Sequence, residues 1–424
     1  MNAGVWCAEY ELSGTDRPTG VVDYAGERTA RLLVRLHGEP IGYVTVEPTA
    51  YADGLAPLRA AVWQELTAEI RCHLRADAIA ADEVATGDRP PAAPGSCPDR
   101  LVAAGSVSVV VCTRNRASML VACLDRLAAV TYPDVEFIVV DNAPDDDSTR
   151  RVVQARQEHD PRFRYEREDR PGLSCARNRG LAAARGTYVA YTDDDVSVDP
   201  HWVHGMVKGF RRRRDVQCVT GLVGTAAITN DAEAYFDART SSWSSRCAPQ
   251  LFDLSRRSAA NSLYPYSAGI FGTGASFGFR RTTLVELGGF DEALGAGTAT
   301  RGGEDLDIFV RVLLGGGAIA YEPAALVWHH HRADEASLAR QMYGYGAGLT
   351  AYLTKLILQR ETRRDVLGRI PAGLIRMVRI RSGTTGRLDA PAAGSRRLLG
   401  REFAGYLAGP VLYARSRRGV GAAR

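Results

Sequence analysis

Paired cysteines are missing from this chain. Its eight cysteines stand apart at positions 7, 72, 97, 112, 123, 175, 218 and 247, none in a CxxC pair, and no histidine group has zinc-finger spacing. That excludes a disulfide-framed mini-protein and a zinc-finger module. Scattered thiols in a long chain fit a reducing, cytoplasmic setting. Long apolar runs are missing too: no stretch reaches 18 apolar residues, so no spanning helix is expected. The opening MNAGVWCAEYELSG carries Glu9 and Glu11 and lacks a basic segment followed by an apolar one, so it does not read as a signal peptide. No internal repeat is visible.

What remains is an ordinary globular balance. The 424 residues are 45% hydrophobic, 24% charged and 8% aromatic, which excludes wholesale disorder and fits about two to three domains. The net charge of +4 is too small to imply a nucleic-acid partner. Its distribution is uneven. From Lys355 to Arg424 there are 16 Lys/Arg against 4 Asp/Glu, a balance of +12, so the first 354 residues carry +4 − 12 = −8.

Four segments follow from patterning. Residues 1–88 read as a small α+β unit. Ala30 to Pro48 gives two strands around a turn at Gly38–Glu39–Pro40, and Leu58, Val62, Leu66 and Ile70 mark a helix from about Leu58 to Arg75. Residues 89–105 belong to a Pro/Gly-rich linker. Residues 106–335 alternate strands and helices. The strands are SVSVVVCT (Ser106–Thr113), VEFIVVDN (Val135–Asn142), FRYER (Phe163–Arg167) and TYVAYTDDD (Thr187–Asp195). The helices between them include Thr149–His159 and an alanine-rich one from Leu173 to a stop at Gly186. Such alternation predicts an α/β fold with a mostly parallel sheet flanked by helices, binding ligands beyond the carboxyl ends of its strands. Residues 336–424 form a helical, basic extension, with a helix over Ser337–Arg360.

The chemistry gathers at strand ends. Asp193, Asp194 and Asp195 repel one another unless solvent or a cation intervenes, and a divalent metal with hard oxygen ligands relieves that conflict. Glu304 and Asp305 follow two glycines at a helix start, where the dipole favours acidic residues and where a carboxylate could also serve as a general base. Gly272, Gly274 and Gly278 allow close backbone approach to a ligand. His329, His330 and His331 follow a strand, IAYEPAALV.

In order along the chain, SVVVCTRNR, FIVVDN, GLSCARNRGLAAARGTYVAYTDDD, GTGASFGFRR, GGFDEALG, GGEDLDIFVRV and VWHHHR resemble the motifs of family 2 glycosyltransferases of the GT-A (Rossmann-like) fold. The resemblance covers roughly residues 106–335. It implies a nucleotide-sugar donor, a divalent metal (Mg²⁺ or Mn²⁺) and sugar transfer with inversion. Residue by residue, it places Thr113, Arg114 and Asn115 against the nucleotide and Asp141 on the base. Arg177 and Asn178 fall near the ribose and diphosphate, and Gly274 near the donor sugar. Asp193 and Asp195 form the DxD motif. Asp195 is the expected direct metal ligand, with Asp193 and Asp194 dividing ribose and metal-water contacts. Asp305 takes the place of the catalytic base with Glu304 in support. His329, and after it His331, falls near the metal or diphosphate, the two sharing a strand face.

Residues 1–88 lie outside the shared transferase pattern. So does Ala226–Ser267, read as a long loop facing the acceptor. A sugar nucleotidyltransferase would need a glycine-rich basic loop after the first strand, where CTRNRAS stands. A dinucleotide oxidoreductase would need GxGxxG there. A non-catalytic nucleotide-sugar-binding module is the remaining alternative, distinguished by loss of the DxD or the base. The partners expected are the donor and an acceptor that is a glycan, a lipid-linked sugar or a small molecule, in cell-envelope or glycoconjugate synthesis. No nucleic acid is expected. The basic extension, with LAGPVLYA beside Arg415, Arg417 and Arg418, suits a peripheral contact with the cytoplasmic membrane face.

Overall fold

The computed structural model describes residues 4–93, 102–256, 261–332, 334–376 and 395–422. Residues 94–101 of the linker expected from composition lie outside them. The N-terminal unit is a three-stranded sheet, β1 (Val5–Glu11), β2 (Thr29–Leu36) and β3 (Glu39–Val46), with β1 parallel and β3 antiparallel to β2. Helix α1 (Ala56–Ala76) covers it, burying Leu58, Val62, Trp63, Leu66, Ile70 and Leu74. The turn between β2 and β3 is His37–Gly38, one residue earlier than the pattern predicts. Both residues have positive φ (55° and 80°), which closes the chain in two residues and leaves Pro40 inside β3.

The second unit is a nine-stranded sheet: β4 (Val107–Thr113), β5 (Val135–Asn142), β6 (Phe163–Glu168), β7 (Tyr188–Asp193), β8 (Val196–Val198), β9 (Val216–Thr225), β10 (Gln250–Phe252), β11 (Ser276–Arg280) and β12 (Ala318–His329). Its order is β10-β12-β9-β11-β7-β4-β5-β6, with β8 added on β12. β12, β9, β7, β4, β5 and β6 run one way, and β10, β11 and β8 oppose them. The valine run of β4 is explained by its position inside the sheet. Val107, Val109 and Val111 enter the core on one face and Val110 the core on the other.

Helices α2 (Ala117–Ala128) and α5 (Trp202–Arg211) bury side chains in the first core. Helices α4 (Leu173–Ala183) and α8 (Glu304–Leu314) do so in the second, while α3 (Ser148–His159) lies beside α2 and β6. Helix α4 stops at Ala183, three residues before the predicted glycine. Gly186 serves another purpose, since a Cβ there would stand 2.6 Å from the Ser108 nitrogen. The stretch expected as a long loop holds α6 (Asp231–Ser244) and β10. Asn230 caps α6 by accepting from the Ala232 and Glu233 nitrogens. No single apolar stripe announces α6, because it packs between β9 and the C-terminal helices. A short α7 (Arg281–Glu286) follows β11.

The C-terminal helices α9 (Glu335–Leu358), α10 (Arg360–Gly368) and α11 (Ser395–Ala422) continue from the sheet. Tyr352 and Leu356 of α9 and Val366 of α10 belong to the second core. The N-terminal unit is docked as well. Val5 bridges to Ile228, Arg31 pairs with both oxygens of Asp237 at 2.8 Å, Arg35 reaches Asp199 at 2.6 Å, and Trp328 donates to Glu9 at 2.7 Å. Cys7 and Leu33 share a cluster with Leu222, Leu326 and Trp328. The seven described cysteines are free thiols, and no helix among the described residues is long and apolar enough to cross a membrane.

Candidate active site

One large cavity, about 1330 Å³, opens where β4 and β7 end, α8 begins and β12 runs out. Thr113, Arg114, Arg177, Asp193, Asp194, Asp195, Gly274, Glu304, Asp305 and His329 all line it. Parallel strands that end together bring distant segments to one edge, so this gathering follows from the topology.

The three aspartates face different partners. Asp194 is buried; it accepts from the Thr113 hydroxyl and from Arg116, both at 2.8 Å. Burial raises its pKa against the pull of Arg116. Asp195 is ringed by Arg332 at 3.2 Å, Arg116 at 3.5 Å and the His329 ring Nε2 at 3.5 Å. Asp193 ends β7 and, among the described residues, its carboxylate pairs with Arg177 at 3.5 Å. Its carboxyl is pushed up to about 7, first by burial and then by Asp195, Asp194 and Glu304, with Arg177 opposing.

Arg177 ties the aspartates to the second acidic pair. Its guanidinium donates to Glu304 at 3.0 Å and to the Gly274 carbonyl at 3.1 Å, and lies 4.9 Å from the centre of the Phe277 ring. It is buried, not a surface arginine. Glu304 keeps its second oxygen, Oε2, buried without a partner, and burial with Asp305 beside it raises its pKa. Asp305 accepts from the Gly274 nitrogen at 3.1 Å and from its neighbour Leu306 at 2.8 Å. The preceding Gly303 has φ 92°, and a Cβ there would collide with the Gly348 carbonyl, so glycine is required to start α8 against α9.

Asp193, Asp194, Asp195 and Glu304 gather on one wall, and the Glu304 Oε2 is buried without a partner, a donor set that a divalent cation would fit. His329 stands beside Asp195. Burial lowers its pKa, so the ring is neutral and able to ligate. Hard carboxylate oxygens suit Mg²⁺ or Mn²⁺.

Four expected residues do not line the cavity. Asn115 exchanges hydrogen bonds with Asp145. Asn178 clips the segment at Phe290, accepting at 2.8 Å and donating at 3.0 Å. Asp141 is fully buried and accepts from Tyr165 at 3.0 Å. His331 turns away from Asp195 toward Thr225 and the Phe236 ring. Arg116 and Arg332 were missed as site residues, although both stand inside the quoted CTRNR and VWHHHR motifs. Phe236, Arg239, Tyr345 and Tyr406 also line the cavity from α6, α9 and α11, with nothing in their local sequence to mark them.

Residues 108–286 match the sequence profile described as glycosyl transferase family 2. The chain is 28% identical over 303 residues to a pre-mycofactocin glycosyltransferase of Mycobacterium tuberculosis, covering 70% of this chain and 55% of that protein. It is 25% identical over 191 residues to a glucosyl-dolichyl phosphate glucuronosyltransferase of Haloferax volcanii, covering 45% and 57%. The chain thus spans about half the length of these relatives. Among solved structures, a mannosyltransferase from Pyrobaculum calidifontis in complex with GDP-Man and Mn²⁺ aligns with 18% identity and a TM-score of 0.48, over 76% of this chain and 88% of that one.

Proposed function

We propose that this chain, whose residues 108–286 match the glycosyl transferase family 2 profile, transfers a sugar, with inversion, from a nucleotide-sugar donor to an acceptor hydroxyl. The observation that carries the reading is the single cavity in which Arg177 joins the DxD aspartates to Glu304 and Asp305.

Asp305 removes the acceptor proton. The freed oxygen pair forms the new bond to the anomeric carbon, and the bond from that carbon to the diphosphate breaks on the opposite face, its electron pair leaving with the nucleotide. Asp305 is suited to this because the Gly274 and Leu306 nitrogens hold it at the rigid start of α8. Arg177 orients Glu304 and carries positive charge to the donor side. Thr113 and Arg116 fix Asp194, leaving Asp193 and Asp195 turned to the cavity with His329. Asp193, Asp195 and His329 would hold the metal. When bound, a divalent ion neutralises the departing diphosphate. The acceptor enters between α6, α9 and α11, past Phe236, Tyr345 and Tyr406. The basic C-terminal helices meet the cytoplasmic face of a membrane.

Asp305→Asn tests the base. Donor and metal affinity should stay near wild type while transfer falls by about 10²-fold or more. Transfer at the wild-type rate would move the base to another group, Glu304 first. Loss of donor binding would make Asp305 a nucleotide or structural residue instead.

A further inference from the structure

The N-terminal unit holds a cluster of titratable side chains that sugar transfer does not use. His37 occupies the β2–β3 turn. His73 and Asp77 stand four residues apart at the end of α1, so they face the same side. His37 Nδ1 lies 2.5 Å from Asp77 Oδ2, His73 Nε2 lies 3.2 Å from the same oxygen, and the two ring nitrogens are 3.2 Å apart. Three ligating atoms therefore converge on one point. The His37 ring is fully buried, and its partners are 15% and 8% exposed.

Proton accounting makes this convergence informative. His37 Nε2 lies 2.9 Å from the Pro91 carbonyl, which can only accept, so the ring hydrogen is on Nε2. His37 Nδ1 then faces a carboxylate oxygen and a second imidazole nitrogen, contacts that a proton or a metal cation between them can satisfy, and the three ligating atoms all lie within 4.8 Å of one another. A backbone carbonyl that orients the far nitrogen of a histidine is also the arrangement that supports ligating imidazoles. The turn is held in place for it. His37 has φ 55°, an uncommon conformation for a residue with a side chain, and the His37 and Gly38 nitrogens both donate to Glu11, at 3.0 and 2.8 Å.

We propose that His37, His73 and Asp77 form a zinc site that fastens the β2–β3 turn to the end of α1 and, through Pro91, to the start of the linker. Two nitrogens and one carboxylate oxygen are a zinc donor set, and three protein ligands leave a fourth, tetrahedral position for water. Zn–N and Zn–O distances of about 2.0–2.1 Å place tetrahedral ligands roughly 3.3 Å apart. Two of the three separations are already 3.2 Å, and only the His37–Asp77 pair must open, from 2.5 Å. The site is separate from the cleft in its chemistry: imidazole favours zinc, whereas the aspartates of the cleft favour Mg²⁺ or Mn²⁺.

The test is zinc titration of the chelator-stripped full chain by calorimetry in excess Mg²⁺. It is repeated on Asp195→Ala, which removes a cleft ligand, and on His73→Gln and Asp77→Asn. Wild type and Asp195→Ala should each take up one zinc equivalent, and His73→Gln should bind at least about tenfold more weakly. Cobalt should give the visible absorption of a tetrahedral site in the first two proteins and not in His73→Gln. Circular dichroism checks folding. If Asp77→Asn, at the end of α1, fails to fold, His73→Gln still carries the comparison. Equal zinc affinity in wild type and folded His73→Gln would overturn the proposal, as would loss of the zinc equivalent in Asp195→Ala.

Discussion

At the scale of single residues, the cleft is a balance of buried charges, and Arg177 sits at its centre. It compensates Glu304 and Asp193 while stacked against Phe277 and Phe290. Arg177→Met keeps much of the packing volume but leaves Glu304 as an uncompensated buried carboxyl. Unfolding in denaturant should therefore show a loss of about 3 kcal/mol or more. Arg177→Lys restores charge without the planar fork that reaches Glu304 and the Gly274 carbonyl together, so it should recover only part of that loss. Asp195 makes the complementary case. It is already surrounded by Arg116, Arg332 and His329, so its removal leaves cations, not carboxylates, in excess. Asp195→Ala should fold normally, lose metal-dependent nucleotide binding measured by titration with Mn²⁺, and show no donor turnover. Full turnover by Asp195→Ala in the presence of a chelator would remove the DxD assignment.

At the scale of elements, two dockings depend on close packing and on buried ion pairs. Helix α11 lies on α9 through glycines. A Cβ at Gly346 would meet the Glu402 carbonyl, one at Gly405 the Tyr343 carbonyl, and one at Gly409 the Thr350 hydroxyl. Gly405→Val should therefore push the helices apart at a cost of about 1–3 kcal/mol, seen as faster amide exchange across residues 395–422 with the sheet unchanged. The N-terminal unit is held by Arg31 on Asp237. Burial alone would raise the Asp237 pKa, but Arg31 and the Thr225 hydroxyl outweigh it and hold the carboxyl below its usual range. A folded value below the unfolded one means that the stabilisation is present above the ordinary carboxylate pKa of about 4 and is lost as pH falls through the lower, folded value. Asp237→Asn should therefore lower stability at pH 7 and flatten its acid dependence. These dockings also show what was legible in the sequence. The valine run of β4, the DxD at the end of β7 and the Glu–Asp pair opening α8 could be read, because each combines a local period with charge at an element end. Strand β1 could not, because its partner β2 is parallel and joined to it by irregular chain. Helix α6 could not either, because it buries residues on several sides and so shows no stripe. The cleft residues Arg239 and Tyr406 come from elements whose meeting is decided by tertiary packing alone.

At the scale of the whole molecule, charge and apolar surface coincide at the C-terminal end. The body to residue 354 carries −8 and the remainder +12. On α11 the outward side chains Phe403, Leu407 and Val411 recur every four residues and are 59%, 68% and 57% exposed, so they form one stripe along the helix. Arg401, Arg415, Arg417 and Arg418 belong to the same helix. An apolar stripe with arginines is the pattern of a helix lying in the plane of an anionic membrane surface. Because α9 is part of the sheet's second core, deleting everything after Arg332 would damage the fold as well as the surface. A triple substitution, Phe403→Glu, Leu407→Glu and Val411→Glu, changes only exposed positions. Each apolar side chain withdrawn from water contributes about 1.5–3 kcal/mol when fully buried, so even partial insertion of three should make the difference exceed tenfold. The wild-type chain should sediment with phosphatidylserine-containing vesicles at low salt, less with neutral vesicles, and be partly released by added salt, which screens the arginines. The triple variant should stay in the supernatant under all three conditions while keeping donor hydrolysis. Equal sedimentation of the two proteins would locate the contact elsewhere on the basic segment. No sedimentation of either would mean that the stripe does not meet lipid and that the membrane reading is wrong.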